Sequence, residues 1–177
     1  MAAAFLASTI GATASASIVF DLAGIDEYGT GLNEIGSFES SDPGQQIDSI
    51  SLIDGVLETY NNTGTANFAN EAILAVQLAD ADGESVLFYF FPFPDEDASG
   101  QFGPANLTIE LLEDGYYIPE DGIVTAFAAS IWNDGSGDAA GAWIQGQLAI
   151  NLIPAPAGLA LLAGAAVAGR RRRRTDN

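Results

Sequence analysis

The sequence lacks cysteine, histidine and lysine, and its only basic residues are five consecutive arginines near the C-terminus: Arg170, Arg171, Arg172, Arg173 and Arg174. The chain therefore cannot form a Ser-His-Asp or Cys-His nucleophile, a lysine Schiff base or a zinc site of the usual Cys/His type. Because residues 1–169 hold no lysine or arginine, they offer no basic face to a polyanion, which excludes nucleic acid as their partner. The absence of cysteine also removes disulfides as an indication of the compartment.

The chain has an excess of acidic residues: 24 aspartates and glutamates give a formal net charge of −19 over 177 residues. Acidic disordered chains are poor in aromatic and β-branched residues, whereas this sequence is 48% hydrophobic and 10% aromatic. It therefore predicts one folded domain of ordinary size with a hydrophobic core. A surface of one charge sign repels itself, and salt or divalent cations ease that repulsion. Such a surface suits a saline extracellular setting.

The N-terminal residues 1–16 are uncharged and rich in alanine, and they end in Ala14-Ser15-Ala16. Small residues in this spacing are preferred by signal peptidase, and cleavage after Ala16 would make Ser17 the new N-terminus. The basic segment that normally begins a signal peptide is missing, so the sequence predicts a truncated signal peptide. The alternative is an alanine-rich N-terminal helix.

The C-terminal residues 153–169 are uncharged and apolar, and the arginine cluster follows them directly. Their number is at the lower limit for crossing a bilayer, which takes about 20 residues. Arginines next to an apolar segment favour the cytoplasmic side of the membrane. The sequence therefore predicts a short C-terminal transmembrane helix with the acidic domain outside, the alternative being a buried helix followed by a basic tail.

Pro154-Ala155-Pro156, a short Ala/Gly/Leu segment and the arginine cluster follow one another in fixed order over residues 153–174. This layout resembles the PEP-CTERM sorting signal of Gram-negative bacteria, with Ala155 where that family usually has glutamate. The resemblance implies recognition by an exosortase, a membrane-embedded cysteine transpeptidase, and cleavage near the two prolines. It also implies an inner-membrane anchor before processing, and then a place at the cell surface or outside the cell, often with exopolysaccharide.

Between these ends, residues 17–152 show short runs of Ile, Val, Leu, Phe and Tyr that alternate with polar residues and are separated by Gly, Asp and Asn. This pattern predicts an antiparallel β-sandwich or jelly roll of about eight strands. Asp54-Gly55 suits a tight hairpin, and the run at residues 85–91, apolar on both faces, is expected at the centre of a sheet. The predicted strands are Ser17–Leu22, Ile47–Ile53, Val56–Tyr60, Glu71–Leu78, Ser85–Phe91, Leu107–Leu111, Ile123–Trp132 and Trp143–Leu152.

The body also resembles a group of proteins that carry the same sorting signal, and its layout is similar to jelly-roll modules such as the P-domain of proprotein convertases. The residues that carry this resemblance are Phe20-Asp21-Leu22, Asn70-Glu71-Ala72, and Trp143, Gly146, Leu148 and Ile150. Those modules are structural or binding domains without catalysis of their own, so the resemblance implies a fold more than a function.

Three acidic turns are candidate calcium sites, because closely spaced Asp, Asn and Glu oxygens can supply the roughly six to eight ligands that calcium takes. None has the full EF-hand pattern. The alternative is ordinary turn chemistry, since Asp, Asn and Gly favour turns on their own. The candidates are Asp80, Asp82 and Glu84 in the first turn, Asp95, Glu96 and Asp97 in the second, and Asn133, Asp134 and Asp138 in the third.

Aromatic side chains offer a second route to binding, because their rings are flat, apolar surfaces on which a sugar ring can stack. Tyr116 and Tyr117 lie in a turn-rich segment and are the better candidates for exposure. Trp132 and Trp143 could also stack on sugars, although a tryptophan in a sandwich is more commonly part of the core.

Together these features predict an exported, non-catalytic protein of the cell surface or extracellular matrix that is sorted by an exosortase and associated with exopolysaccharide. The alternative is a calcium-assisted carbohydrate-binding module. A small glycoside hydrolase is more distant, because it needs two carboxylates that flank a cleft. Glu71 and Glu110 are its candidates, and exposure to solvent explains both equally well.

Overall fold

A computed structural model of the protein describes residues 16–27, 31–62, 65–131 and 138–153, without the side chains of residues 62, 65 and 66. Within these residues no helix is long and apolar enough to cross a bilayer. The predicted transmembrane segment lies outside the described residues, as do Ala14, Trp132, Asn133, Asp134, Pro154, Ala155, Pro156 and Arg170 to Arg174.

The described part of the chain consists mainly of β-strands, with one 3₁₀ turn at Ala69–Glu71. In chain order the strands are β1 (Ser17–Asp21), β2 (Ile25–Glu27), β3 (Asn33–Glu39), β4 (Ile47–Thr59), β5 (Asn61–Asn62), β6 (Thr65–Ala66), β7 (Ala72–Ala79), β8 (Ser85–Phe90), β9 (Gln101–Glu110), β10 (Ile123–Ser130) and β11 (Gly141–Leu152).

Nine of these strands form two antiparallel sheets. The first sheet has the order β1-β11-β4-β9, and β2 pairs with another part of β11. The second sheet has the order β3-β10-β7-β8, while β5 and β6 form a separate two-stranded ribbon. The two sheets form a β-sandwich, which confirms the all-β, antiparallel fold class predicted from the sequence.

The core lies between the two sheets, because alternate residues of each strand point inward. In β1, for example, Ile18 and Phe20 are buried while the residues on either side of each are exposed. Fully burying one large aliphatic or aromatic side chain contributes about 1.5–3 kcal/mol relative to leaving it exposed. The largest fully buried side chains are Trp143, Ile18, Leu22, Ile47, Ile50, Leu52, Leu57, Leu74, Leu78, Leu111, Ile118 and Leu148.

The hairpin predicted at Asp54-Gly55 is wrong, because both residues lie inside the continuous strand β4. They form a bulge: the register shifts around them against both β9 and β11, and Asp54 has a φ of 50°. The neighbouring strands approach closely because they carry glycine here. A Cβ on Gly146 would lie 2.7 Å from the Gly55 Cα, and a Cβ on Gly103 would overlap the Gly55 carbonyl oxygen. An Asp-Gly pair tolerates the positive φ of a bulge as readily as that of a turn.

The strand at residues 85–91 is not central, as the sequence predicted, but forms the edge strand β8. Its inward row packs against the core, whereas Leu87 and Tyr89 point outward and are 37% and 47% exposed. The central strands of the second sheet are β7 and β10. The apolar run led to a wrong position for this strand in the sheet, because a row of apolar side chains has the same composition whether it is exposed or buried.

Strands β2 and β3 were not predicted, and β9 begins at Gln101, six residues before the predicted start. Most side chains of β3 are exposed or half-buried, so its sequence shows no clear apolar alternation. The first part of β9 was not predicted because it contains Gly103-Pro104, and both residue types are unusual inside a sheet.

Candidate functional site

An open groove lies where the turn after β7 meets the segment that precedes β10. Its volume of about 190 Å³ is below the roughly 300–1,000 Å³ of typical small-molecule pockets, so it suits a single ring more than an extended ligand. We call it the tyrosine–acid groove. Its walls include Ala79, Asp80, Gly83, Tyr117, Ile118 and Glu120.

The backbone of residues 116–118 is fixed on both sides, which holds the Tyr117 wall of the groove in place. On one side, Tyr117 and Ala79 exchange two backbone hydrogen bonds of 2.8 and 2.9 Å. On the other side, the Ile47 N–H donates to the Tyr116 carbonyl and the Ile118 N–H donates to the Gln45 carbonyl, both at 2.9 Å. The segment therefore bridges the end of β7 and the start of β4, which belong to different sheets.

The opposite wall is the turn at residues 80–84, which Asp80 organises. Its Oδ1 accepts hydrogen bonds from the backbone N–H of Asp82 at 3.0 Å and of Glu84 at 2.9 Å. Backbone hydrogen bonds between Asp80 and Glu84 and between Gly83 and Asp80 close the turn. The carboxylate is thus held at the groove by its own turn.

The two tyrosines predicted as ligand-binding residues have different positions. Tyr117 lines the groove and is half-buried. Tyr116 packs against the core, where its ring makes an edge contact with Phe88 at a centroid distance of 5.6 Å. Only Tyr117 is thus placed to meet a ligand at the groove.

The structure does not gather the predicted calcium ligands into one cluster. Within the described residues no group of three or more acidic side chains is close enough to hold a metal ion. Asp82 and Glu84 are exposed, as are the residues of the second turn at 95–97 and Asp138. Asn133 and Asp134 lie outside the described residues.

The two glutamates considered for hydrolysis differ in environment. Glu71 lies in the 3₁₀ turn, where its Oε2 accepts a hydrogen bond of 2.9 Å from the Phe68 N–H. Glu110 is exposed at the end of edge strand β9. Neither carboxylate lines the tyrosine–acid groove.

At the predicted signal-peptidase site, Ser17 is the first residue of β1 and pairs with Asn151 of β11. The carbonyl oxygen of Ala16 accepts a hydrogen bond from the Leu152 N–H at 3.0 Å. Strand β1 thus begins at the residue where the sequence predicts that the mature chain begins.

One titratable side chain in the core was not singled out by the sequence. Glu27 is 2% exposed, and its Oε1 accepts a 2.8 Å hydrogen bond from the Trp143 indole N–H. Burial raises the pKa of Glu27 to about 8, and the hydrogen bond from the indole lowers this pKa by a smaller amount. Nearby, the pKa of Tyr60 is raised by partial burial and by the carboxylates of Glu58 and Asp26. None of these groups lines the tyrosine–acid groove.

Neither a protein-family model nor a curated protein sequence matches this chain. Among solved structures, the chain is similar to the VP2 protein of infectious bursal disease virus in its D431N mutant form, with 14% sequence identity and a TM-score of 0.47 over 85% of this chain and 36% of that one. A structure of the Gt strain of the same virus matches with 14% identity and a TM-score of 0.43 over 87% of this chain and 39% of that one. The chain thus spans little more than a third of the viral chains, and the similarity concerns their general fold alone.

Proposed function

We propose that this chain is an exported, non-catalytic protein of the cell surface or extracellular matrix, sorted by an exosortase and associated with exopolysaccharide. The order of Pro-x-Pro, apolar segment and arginine cluster over residues 153–174 supports the sorting. A surface whose described residues include acids and no bases supports a role in the extracellular matrix, where dissolved cations screen like charges.

The association with polysaccharide is carried by one observation, which is that the fold joins Tyr117 and two carboxylates in a single groove. The ring of Tyr117 offers an apolar face for the C–H groups of a sugar. The carboxylates of Asp80 and Glu120 offer acceptors for its hydroxyls. Because every charged side chain of the groove is acidic, the sugar should be neutral or cationic, as an acidic sugar would be repelled.

The groove is tested by titrating the protein with purified neutral and amino-sugar oligosaccharides and measuring heats of binding. Tyr117→Ala is expected to weaken binding about tenfold or more, which corresponds to about 1.4 kcal/mol, whereas Tyr117→Phe keeps the ring and should bind within a few-fold of the natural chain. The matched control is Phe38→Ala, which removes an exposed aromatic side chain from β3, away from the groove. Unchanged binding by Tyr117→Ala would contradict the proposal.

This proposal does not invoke calcium, because Asp80 and Glu120 are the carboxylates that line the groove, and within the described residues no group of three or more acidic side chains could hold a metal ion. The same titration repeated with calcium and with a chelator distinguishes the two mechanisms. Affinity that disappears with the chelator would favour a calcium-assisted module.

The sorting proposal is tested separately by the intact mass of the protein isolated from the cell envelope and from the medium. The expected chain begins at Ser17 and ends near Pro156. A chain that retains Arg170 to Arg174 in both fractions would overturn exosortase processing, whatever the sugar titration shows.

A further inference from the structure

The strands at the edges of the two sheets differ in how they are protected against pairing with other chains. Natural edge strands are usually blocked by charges, by proline or by bulges. In this protein β9 contains Pro104, β1 ends in Asp21, and β2 contains Asp26. Strand β3 contains Glu34 and Glu39, and its pairing with β10 is interrupted by a register shift.

Strand β8 has none of these protections. Residues 85–91 are uncharged, and proline appears only after the strand, at Pro92. The β7–β8 register runs without a shift from Leu74↔Phe90 to Ala79↔Ser85. Within the described residues β8 pairs with β7 alone, so the backbone groups along its other side have no strand partner.

The outward side chains of β8 add an apolar row to this open edge. Leu87 is 37% exposed and Tyr89 is 47% exposed, and Phe91, just after the strand, is 41% exposed. The half-buried Phe127 of β10 belongs to the same outer face, because its partner Ala75 on β7 is paired in turn with Tyr89. A polar strand added at this edge would leave the apolar row uncovered.

We propose that β8 pairs edge to edge with β8 of a second copy of this chain, which joins the two four-stranded sheets into one. A twofold axis through Tyr89 makes the two strands antiparallel and places Leu87 of one copy opposite Phe91 of the other. Residues that face each other across this axis are both odd-numbered or both even-numbered. The outward-facing side chains of one copy therefore lie beside those of the other, and the inward-facing side chains of both copies lie on the core side of the joined sheet. The second copy is thus a partner whose edge is uncharged, unbulged and of equal length by construction.

Charge explains why a second copy would dock here and not elsewhere. At a net charge of −19, most approaches between two copies bring carboxylates together. Along β8 the closest acids are Glu84 and Asp95, which lie beyond the two ends of the uncharged run. The contact is about 17 Å long, from the five residues 87–91 at roughly 3.3 Å each, so the dimer should be weak and should strengthen with salt.

The test uses the full-length chain, whose lack of cysteine allows a single thiol to be placed at will. Tyr89→Cys is compared with Val19→Cys, which sits on edge strand β1 of the other sheet and is 49% exposed. With a short bis-maleimide in about 1 M NaCl, where the Debye length is about 3 Å, Tyr89→Cys is expected to give a covalent dimer and Val19→Cys only monomer. Equal linking of both, or of neither, would overturn the proposal.

A second pair of variants measures the same contact without a reagent. Tyr89→Glu places like charges across the pairing and should raise the dimer dissociation constant in sedimentation equilibrium by about tenfold or more, while Val19→Glu should leave it unchanged. Both positions are exposed, so neither change should impair folding, which is checked by circular dichroism. If Tyr89→Glu instead abolishes sugar binding and leaves the oligomeric state unchanged, the face binds glycan and the pairing is wrong.

Discussion

Glu27 is a buried carboxyl group whose protonation links the stability of the domain to pH. It lies at the end of β2, buried beside Gly141 and hydrogen-bonded to the largest side chain of the core, Trp143. Its pKa of about 8 in the folded protein lies above the ordinary value of 4.5. The native state therefore holds a proton that the unfolded state releases between these two pH values. The contribution of Glu27 to stability is present in full below about pH 4.5 and is lost as the pH rises through about 8.

The first prediction is that Glu27→Gln removes this pH dependence. Glutamine keeps an oxygen that can accept the Trp143 indole bond but does not titrate. Each pKa unit corresponds to about 1.36 kcal/mol, so the natural chain should lose a few kcal/mol of unfolding free energy between pH 4.5 and 8 relative to the variant. Urea unfolding at a series of pH values measures the difference.

The control for this experiment is Glu58→Gln, which removes an exposed acid from β4, two strands away from Glu27 across β11. Its unfolding free energy should keep the pH slope of the natural chain in that range. If Glu27→Gln shows the same slope as the natural chain, Glu27 does not hold a proton in the folded state.

At the scale of the strand, the bulge of β4 depends on glycines in both neighbouring strands. Gly146 has a φ of 127°, and a Cβ there would meet the Gly55 Cα at 2.7 Å. The prediction is that Gly146→Ala destabilises the domain by about 1–3 kcal/mol for the forced contact, in addition to the cost of the backbone conformation. Gly100→Ala is the matched control, because Gly100 has a φ of 134° and nothing within 4 Å of its would-be Cβ. Equal losses of unfolding free energy for both variants would show that the close packing at the bulge contributes nothing.

The same elements show what the sequence could and could not predict. Period-two alternation predicted β1, β7 and β11 because one face of each is packed on the core. It failed at Asp54-Gly55, because a turn and a bulge need the same backbone freedom and only the neighbouring Gly103 and Gly146 decide between them. It also misplaced β8, since exposure of an apolar row depends on which strand pairs beside it.

The tyrosine–acid groove was predictable only in part, for a related reason. Tyr117 and Asp80 were both recognised as candidate binding residues from their local sequence. Their placement in one groove depends on the bridge between Tyr117 and Ala79, two residues that are far apart in the chain. No local pattern marks Glu120 or Ile118 as a further wall of the same groove.

At the scale of the whole molecule, the dominant feature is a surface charge of one sign. The residues that the structure describes include many aspartates and glutamates and no lysine, arginine or histidine. Repulsion among like charges opposes the compact state and is screened by ions. Folding of this domain should therefore depend on ionic strength more than that of a protein with balanced charge.

The final prediction separates such screening from specific calcium binding. Added NaCl is expected to raise Tm by a few degrees, since about 1 kcal/mol shifts Tm by roughly 2–4 °C in chains of this size. CaCl₂ and MgCl₂ at equal concentrations should raise it equally, because screening depends on charge and not on the identity of the ion. A specific site would respond differently, as calcium accepts flexible oxygen coordination that magnesium does not. Thermal melts of the natural chain and of Asp134→Asn in the two salts distinguish screening from a specific site. If calcium raises the Tm of the natural chain more than magnesium does, and Asp134→Asn loses this difference, a calcium site is assigned to the acidic segment containing Asn133 and Asp134.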